Sequence, residues 1–250
     1  MDKPLFNALL QMGDDSLVLG QRLCEWSGKA PTIEVDLSLS NLALDLIGQA
    51  TMLLDYAGQV EGEGRDADRL AFHRDAELFR NSLMVEQPNG DFARTVMRHF
   101  FFATYASALY EALSKSSDET LAAIAAKAVK ELRYHSEYAA EWVVRLGDGT
   151  EESHSRMVKA LDWHWRFIDD LFEDDADWAE LAERGIVPLR ATLRGNFGKR
   201  VAQVFGEATL EVPGEVWPLT GGRQGRHSEH LSLVLAEMQV LPRAHPAATW

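Results

Sequence analysis

Glu131 and His135, in the run KAVKELRYHSEYAAEW (Lys127–Trp142), are four residues apart and so share one face of a helix about a turn from each other. A carboxylate stacked on an imidazole inside a helical bundle is the pairing that a carboxylate-bridged di-iron centre uses. That centre usually takes Glu-x-x-His, spaced three apart, and the residue three after Glu131 is Tyr134. An earlier helical run carries an echo, Asp45-x-x-Gly48-Gln49, again with an acid first, no histidine at the third step and a polar side chain at the fourth. An iron pair needs several oxygen donors and two imidazoles converging in the core. Gly48 cannot ligate, Gln49 is a poor substitute, and the candidate lone carboxylates Glu25 and Glu111 fall near helix ends. Asp45, Gln49, Glu131 and His135 are therefore expected to form a hydrogen-bonded network at vestigial metal positions, within reach of one another. An active di-iron oxidase built on Glu131 and His135 is the alternative.

Other reactive patterns are weaker. His227-x-x-His230, with Glu229 between, could hold zinc on a helix, but no HExxH and no paired cysteines supply further ligands. Histidines at a helix start are more often surface or interface residues. There is no G-x-S-x-G and no phosphate-cradling glycine loop, and Cys24 has no patterned histidine partner. Arg65, Arg69, His73, Arg74 and Arg80, interleaved with Phe72 and Phe79, form the most basic short region. Arginine forks beside aromatic faces suit a phosphate-bearing, adenine-containing ligand such as a coenzyme A ester; a solvated basic loop is the plainer reading.

The elements that must position these groups are helical. Leu5–Trp26 reads as a helix that Gly13 and Asp14-Asp15 could interrupt, and a second runs from about Glu34 to Val60, apolar on most sides and so buried mid-bundle. Glu61–Arg69 is a charged loop, followed by a short helix or two ending at the turn Gln87-Pro88-Asn89-Gly90. Asp91 caps an aromatic third helix, Phe92–Leu113, and Asp118 caps a fourth, Asp118–Leu146. Glu151–Phe172 is a fifth helix, Glu173–Asp177 an acidic loop and Trp178–Glu183 a helical turn. Pro188–Phe205 is helical, Thr209–Pro218 extended or a short hairpin, and His227–Leu241 the last helix. Helix after helix, with no alternating strand runs, gives an all-α single domain, 1–250.

Composition sets the class. The 250 residues carry a formal charge of −14, against a nucleic-acid partner, and one cysteine, which excludes a disulfide framework. No secretory leader and no long uncharged membrane-spanning run is evident, so a cytoplasmic location is expected. Seven tryptophans suggest that aromatics of the third helix (Phe101, Phe102, Tyr105) and the fifth (Trp163, Trp165, Phe167) cannot all face one core and instead cover a partner surface.

The runs EVDLSLSNLALDLIGQA, RDAELFRNSLMVEQPNGDFA, AAKAVKELRYHSEY and TGGRQGRHSEHLSLVLAEMQ resemble the phenylacetic acid catabolic proteins, specifically the structural, PaaC-type subunits of bacterial ring 1,2-phenylacetyl-CoA epoxidase. The resemblance covers nearly the whole chain, and VEQPNGDFA, KELRYH and HSEHL together are specific. It implies a ferritin-like helical bundle with extra short helices and a C-terminal helix. It also implies a non-catalytic role beside a catalytic PaaA-type di-iron subunit, with further small and reductase subunits. Such a complex adds one atom of dioxygen to the ring of phenylacetyl-CoA with NADPH-derived electrons; this chain would hold no cofactor of its own. The family block RD-x-x-x-F-x-N stands here as Arg74, Asp75, Phe79 and Asn81. By that resemblance Leu78, Phe79, Arg80 and Asn81 are the first candidates to touch the ester, and Ala179, Glu180 and Leu181 the second. A free-standing acyl-CoA-binding helical module is the remaining alternative.

Overall fold

The structure, a computed structural model, describes residues 1–246. In chain order the helices are α1 Lys3–Cys24, α2 Ile33–Glu61, α3 Ala67–Phe72, α4 Leu83–Glu86, α5 Phe92–Leu113, α6 Glu119–Gly147, α7 Glu151–His164, α8 Ile168–Leu171, α9 Ala176–Glu183, α10 Arg194–Glu207 and α11 Glu229–Ala244. No strand occurs among the described residues, as the all-α expectation requires. The long helices start where their sequences provide a side-chain acceptor for an otherwise unpaired backbone N–H. Thr32 accepts from Val35 N at 3.3 Å, Asp91 from Arg94 N at 3.0 Å and Asp118 from Leu121 N at 2.8 Å. Gly62, left-handed at φ 77°, ends α2.

Backbone contacts divide the chain into two compact units. The first comprises Met1–Pro88, Asp175–Leu181 and Gly221–Trp250. In it α1 and α2 pack along their lengths, and α3 and α11 close the apolar side. The expected interruption of α1 does not occur. At Gly13 a side chain would meet Leu54 Cδ2 at 2.8 Å, so the glycine serves close helix packing. Asp14 and Asp15 stay helical because both side chains find buried cationic partners, Arg74 and Arg223. By length and composition α2 would suffice to cross a membrane, yet its buried side packs on α1.

The second unit comprises Asn89–Asp174 and Ala182–Thr220. There α5 and α6 pack along their lengths, with α7 and α10 against them. The expected partner-facing aromatics are a correction. Phe101, Phe102, Tyr105 and Phe167 are all buried in this unit, and Trp165 is half-buried. The Phe101 ring lies 6.1 to 6.2 Å from those of Trp165, Phe197 and Phe205, so α10 supplies the aromatic surface that completes one core. Only Trp163 keeps substantial exposure, 36 %. Glu151–Phe172 is not one helix but α7, a 3-10 turn at Trp165–Phe167 and α8. The hairpin considered for Thr209–Pro218 is absent; the segment is irregular, its end tied by Leu219 N to Arg166 O at 2.8 Å.

Candidate functional site

The register of α6 decides what its motif can do. Leu121, Ala125, Ala128, Leu132, His135, Ala139 and Val143 are buried along one side, Glu131 is half-buried and Tyr134 is 56 % exposed. The position where Glu-x-x-His would put its imidazole therefore faces solvent, and His135, one step later, faces inward. Its ring neighbour is His99 of α5, with centroids 5.2 Å apart. Neither nitrogen of His99 has a hydrogen-bond partner. Burial, then the His135 ring and the Arg98 guanidinium, hold the His99 pKa well below the usual histidine range. A third buried histidine, His164 of α7, donates its Nδ1–H to Ala160 O at 2.8 Å, and burial pushes its pKa down to about 3.

On α2, Asp45 is half-buried, Gln49 buried and Gly48 exposed, with nothing within 4 Å of where a side chain would begin. Asp45 and Gln49 belong to the first unit, Glu131 and His135 to the second. With Gly48 and an exposed Tyr134 at the two third-step positions, neither helix meets the Glu-x-x-His pattern of a di-iron centre. Among the described residues no three His, Cys, Asp or Glu side chains gather as metal ligands.

The outer face of α2 is unlike a solvated helix. Ile33 (78 % exposed), Leu37 (61 %) and Leu44 (65 %) recur at three- and four-residue steps with Asn41, Gly48 and Thr51 between and beyond them.

The first unit also encloses an ionic cluster that sequence reading missed. Arg74, stacked 4.2 Å over the Phe79 ring, pairs with Asp14, and Arg223 Nη2 lies 2.7 Å from Asp15 Oδ2. Glu86, fully buried, accepts from Asn81 Nδ2 at 2.9 Å and Ser228 N at 2.6 Å, and meets His227 Nδ1 at 2.8 Å. The available signal was a pair of aspartates set among apolar positions of one helix, which have to be paired if they point inward. His227 is thus not a surface residue, and both of its ring nitrogens are engaged within the cluster. The basic patch largely dissolves as well, since Arg65 pairs with Glu61 and Arg74 with Asp14.

Of the residues expected near an ester, Phe79, Asn81 and Leu181 are fully buried, Phe79 under Arg74 and Asn81 on Glu86. Leu78 (47 % exposed), Arg80, Ala179 and Glu180 retain surface. Arg80 lines a cleft of about 200 Å³ with Asn7, Gln11, Asp175, Ala176, Asp177 and Arg223. Its Nη1 donates to Glu77 O and Phe79 O, both at 2.7 Å. Burial lowers its pKa, against the raising effect of Asp14.

Two comparisons bear on this arrangement. The family model described as phenylacetic acid catabolic protein matches residues 1–250. The chain is also 48 % identical, over 241 residues, to the C subunit of the 1,2-phenylacetyl-CoA epoxidase of Escherichia coli (strain K12), covering 96 % of this chain and 97 % of that protein. The all-α architecture agrees with the ferritin-like fold of that family. The chain belongs to the phenylacetic acid catabolic protein family.

Proposed function

We propose that this chain is the non-catalytic, structural subunit of a cytoplasmic 1,2-phenylacetyl-CoA epoxidase, paired with a catalytic PaaA-type di-iron subunit in aerobic phenylacetate breakdown. The observation that carries the reading is the α6 register, which turns Tyr134, the position where Glu-x-x-His would place its imidazole, out to solvent. Whole-chain likeness to one subunit of such an epoxidase supports membership of the complex. Iron belongs to the catalytic partner, and small and reductase subunits deliver electrons from NADPH. The exposed apolar stripe of α2, Ile33, Leu37 and Leu44, is the partner-facing surface. Contact with the CoA ester, where this chain makes any, falls to Leu78, Arg80, Ala179 and Glu180; Phe79, Asn81 and Leu181 hold those segments in place.

The test is to purify the chain alone after growth with ferrous iron, quantify iron, and assay phenylacetyl-CoA oxidation with and without the catalytic subunit. Expected are substoichiometric iron, no turnover alone, and turnover with the partner and reductase present. Two irons per chain, or turnover by the chain alone, overturns the reading in favour of an active oxidase.

A further inference from the structure

His227 stands between two groups that only accept hydrogen bonds. Its Nδ1 is 2.8 Å from Glu86 Oε2 and its Nε2 is 3.0 Å from the carbonyl of Phe79. A neutral imidazole carries one N–H, so one of these contacts would set lone pair against lone pair. Glu86 accepts from two other donors, Asn81 Nδ2 on Oε2 and Ser228 N on Oε1. Within the same cluster Arg74 pairs with Asp14 and Arg223 with Asp15, and His227 lies at ion-pair distance from the third buried carboxylate, Glu86.

From this geometry we infer that a doubly protonated His227 latches the arm Gly221–Ala244 onto the Phe79–Glu86 segment, and that loss of one ring proton releases the arm. The latch is placed to have that effect. Ser228 is the N-cap residue of α11, and α11 buries Leu231, Val234, Leu235 and Gln239 in the first unit. The charged groups around the cluster are Asp14, Asp15 and Arg22 from α1 with Glu25 just after it, Arg74 and Arg80 from the segment after α3, Glu86 from α4, Asp175 beside Arg80, and Arg223 from the turn before α11. Burial alone would push the His227 pKa down; the hydrogen bond and charge of Glu86, with the Phe79 carbonyl and Asp14 behind them, outweigh it and leave the pKa raised. The stabilisation is therefore complete below the ordinary histidine range near pH 6.5 and is lost as pH rises through the raised value. The latch lies wholly within this unit and is independent of any role in an epoxidase.

The test uses the intact chain and two readouts. Ring nitrogen chemical shifts of His227, followed by NMR from about pH 5.5 to 10, should show both nitrogens protonated at the acid end and one proton lost only above the ordinary histidine range. Hydrogen exchange of α11 amides, corrected for intrinsic rates, should lose at least tenfold protection across that same titration while α1 amides change little. Glu86→Gln, which removes the anion but keeps its shape, should bring the ring's titration down to or below the ordinary histidine range and shift the α11 opening with it. A singly protonated ring at about pH 6 overturns the latch. So does α11 protection that stays flat while the ring titrates.

Discussion

His99 of α5 and His135 of α6 lie ring against ring, 5.2 Å between centroids and 39° between planes, both fully sealed from solvent. In a carboxylate-bridged helical protein this neighbourhood would hold acid oxygens. Here one imidazole lies against another, and burial, the His135 ring and the Arg98 guanidinium all act against a proton on His99. An added proton is unwelcome on His99, and the consequences can be measured.

The first concerns acid. His99 and His164 have pKa values held down by burial, His164 at about 3. A histidine depressed in the folded state takes up its proton only on unfolding, so stability is intact above about pH 6.5 and is lost as pH falls below it. Each such histidine steepens the loss by about 1.4 kcal/mol per pH unit until its folded pKa is reached. Urea midpoints measured at about pH 7.5, 6 and 5 should fall progressively. Unchanged midpoints would mean that these rings are protonated in the native state.

The second concerns His99 itself. Both of its nitrogens are buried without a partner, a cost of roughly 1–3 kcal/mol that a hydrocarbon ring does not carry. His99→Phe should hold or raise stability at neutral pH by on the order of 1 kcal/mol and flatten the acid dependence. A loss of several kcal/mol would reveal a hydrogen bond that the ring depends on.

The helices were legible in sequence because their caps are local. Asp91 and Asp118 each accept from the backbone three residues on, and a reader needs only that spacing. What the chain did with long-range partners was not legible. Phe101 and Tyr105 looked like too much aromatic surface for one bundle, because Phe197, Phe205 and Phe172, which cover them, lie far along the chain in segments weakened by glycine or read as a helix end. Asp14 and Asp15 looked like a break, because Arg74 and Arg223 are 60 and more than 200 positions away. His227 looked like a surface histidine for the same reason. The Glu131–His135 spacing raised a metal motif from α6 alone; that His99 would be the ring neighbour of His135 could not be read there, because it lies on another helix.

The third prediction tests the ionic cluster. Arg74→Met strips the buried Asp14 of its cation and should cost about 3–5 kcal/mol. Adding Asp14→Leu should recover a substantial part of that loss, because the uncompensated charge is gone and only Arg80 N loses an acceptor. Denaturation of the two variants beside the parent decides it. A double variant no better than the single one would show that the aspartate's backbone hydrogen bond matters more than its charge.

The last prediction moves the partner surface from the aromatic helices to α2. Phe101, Phe102 and Tyr105 are committed to their own core, so replacing them unfolds the chain before it can report on assembly. Leu37 and Leu44 are 61 % and 65 % exposed and contribute little to this chain's own stability. Leu37→Glu and Leu44→Glu should therefore shift stability by no more than about 0.5 kcal/mol. In an obligate interface, with more than about 2,000 Å² of total buried area and an apolar centre, each buried charge should weaken binding by on the order of 2 kcal/mol or more, roughly thirtyfold. Leu42→Glu, on the same helix but fully buried, is the control that should unfold the chain. Trp217→Ala, at an 86 % exposed site on the irregular segment after α10, is the rival. Size-exclusion co-elution and titration with the catalytic subunit separate them. Binding that survives both glutamates but fails with Trp217→Ala would place the interface on that segment and leave the α2 stripe without its assigned role.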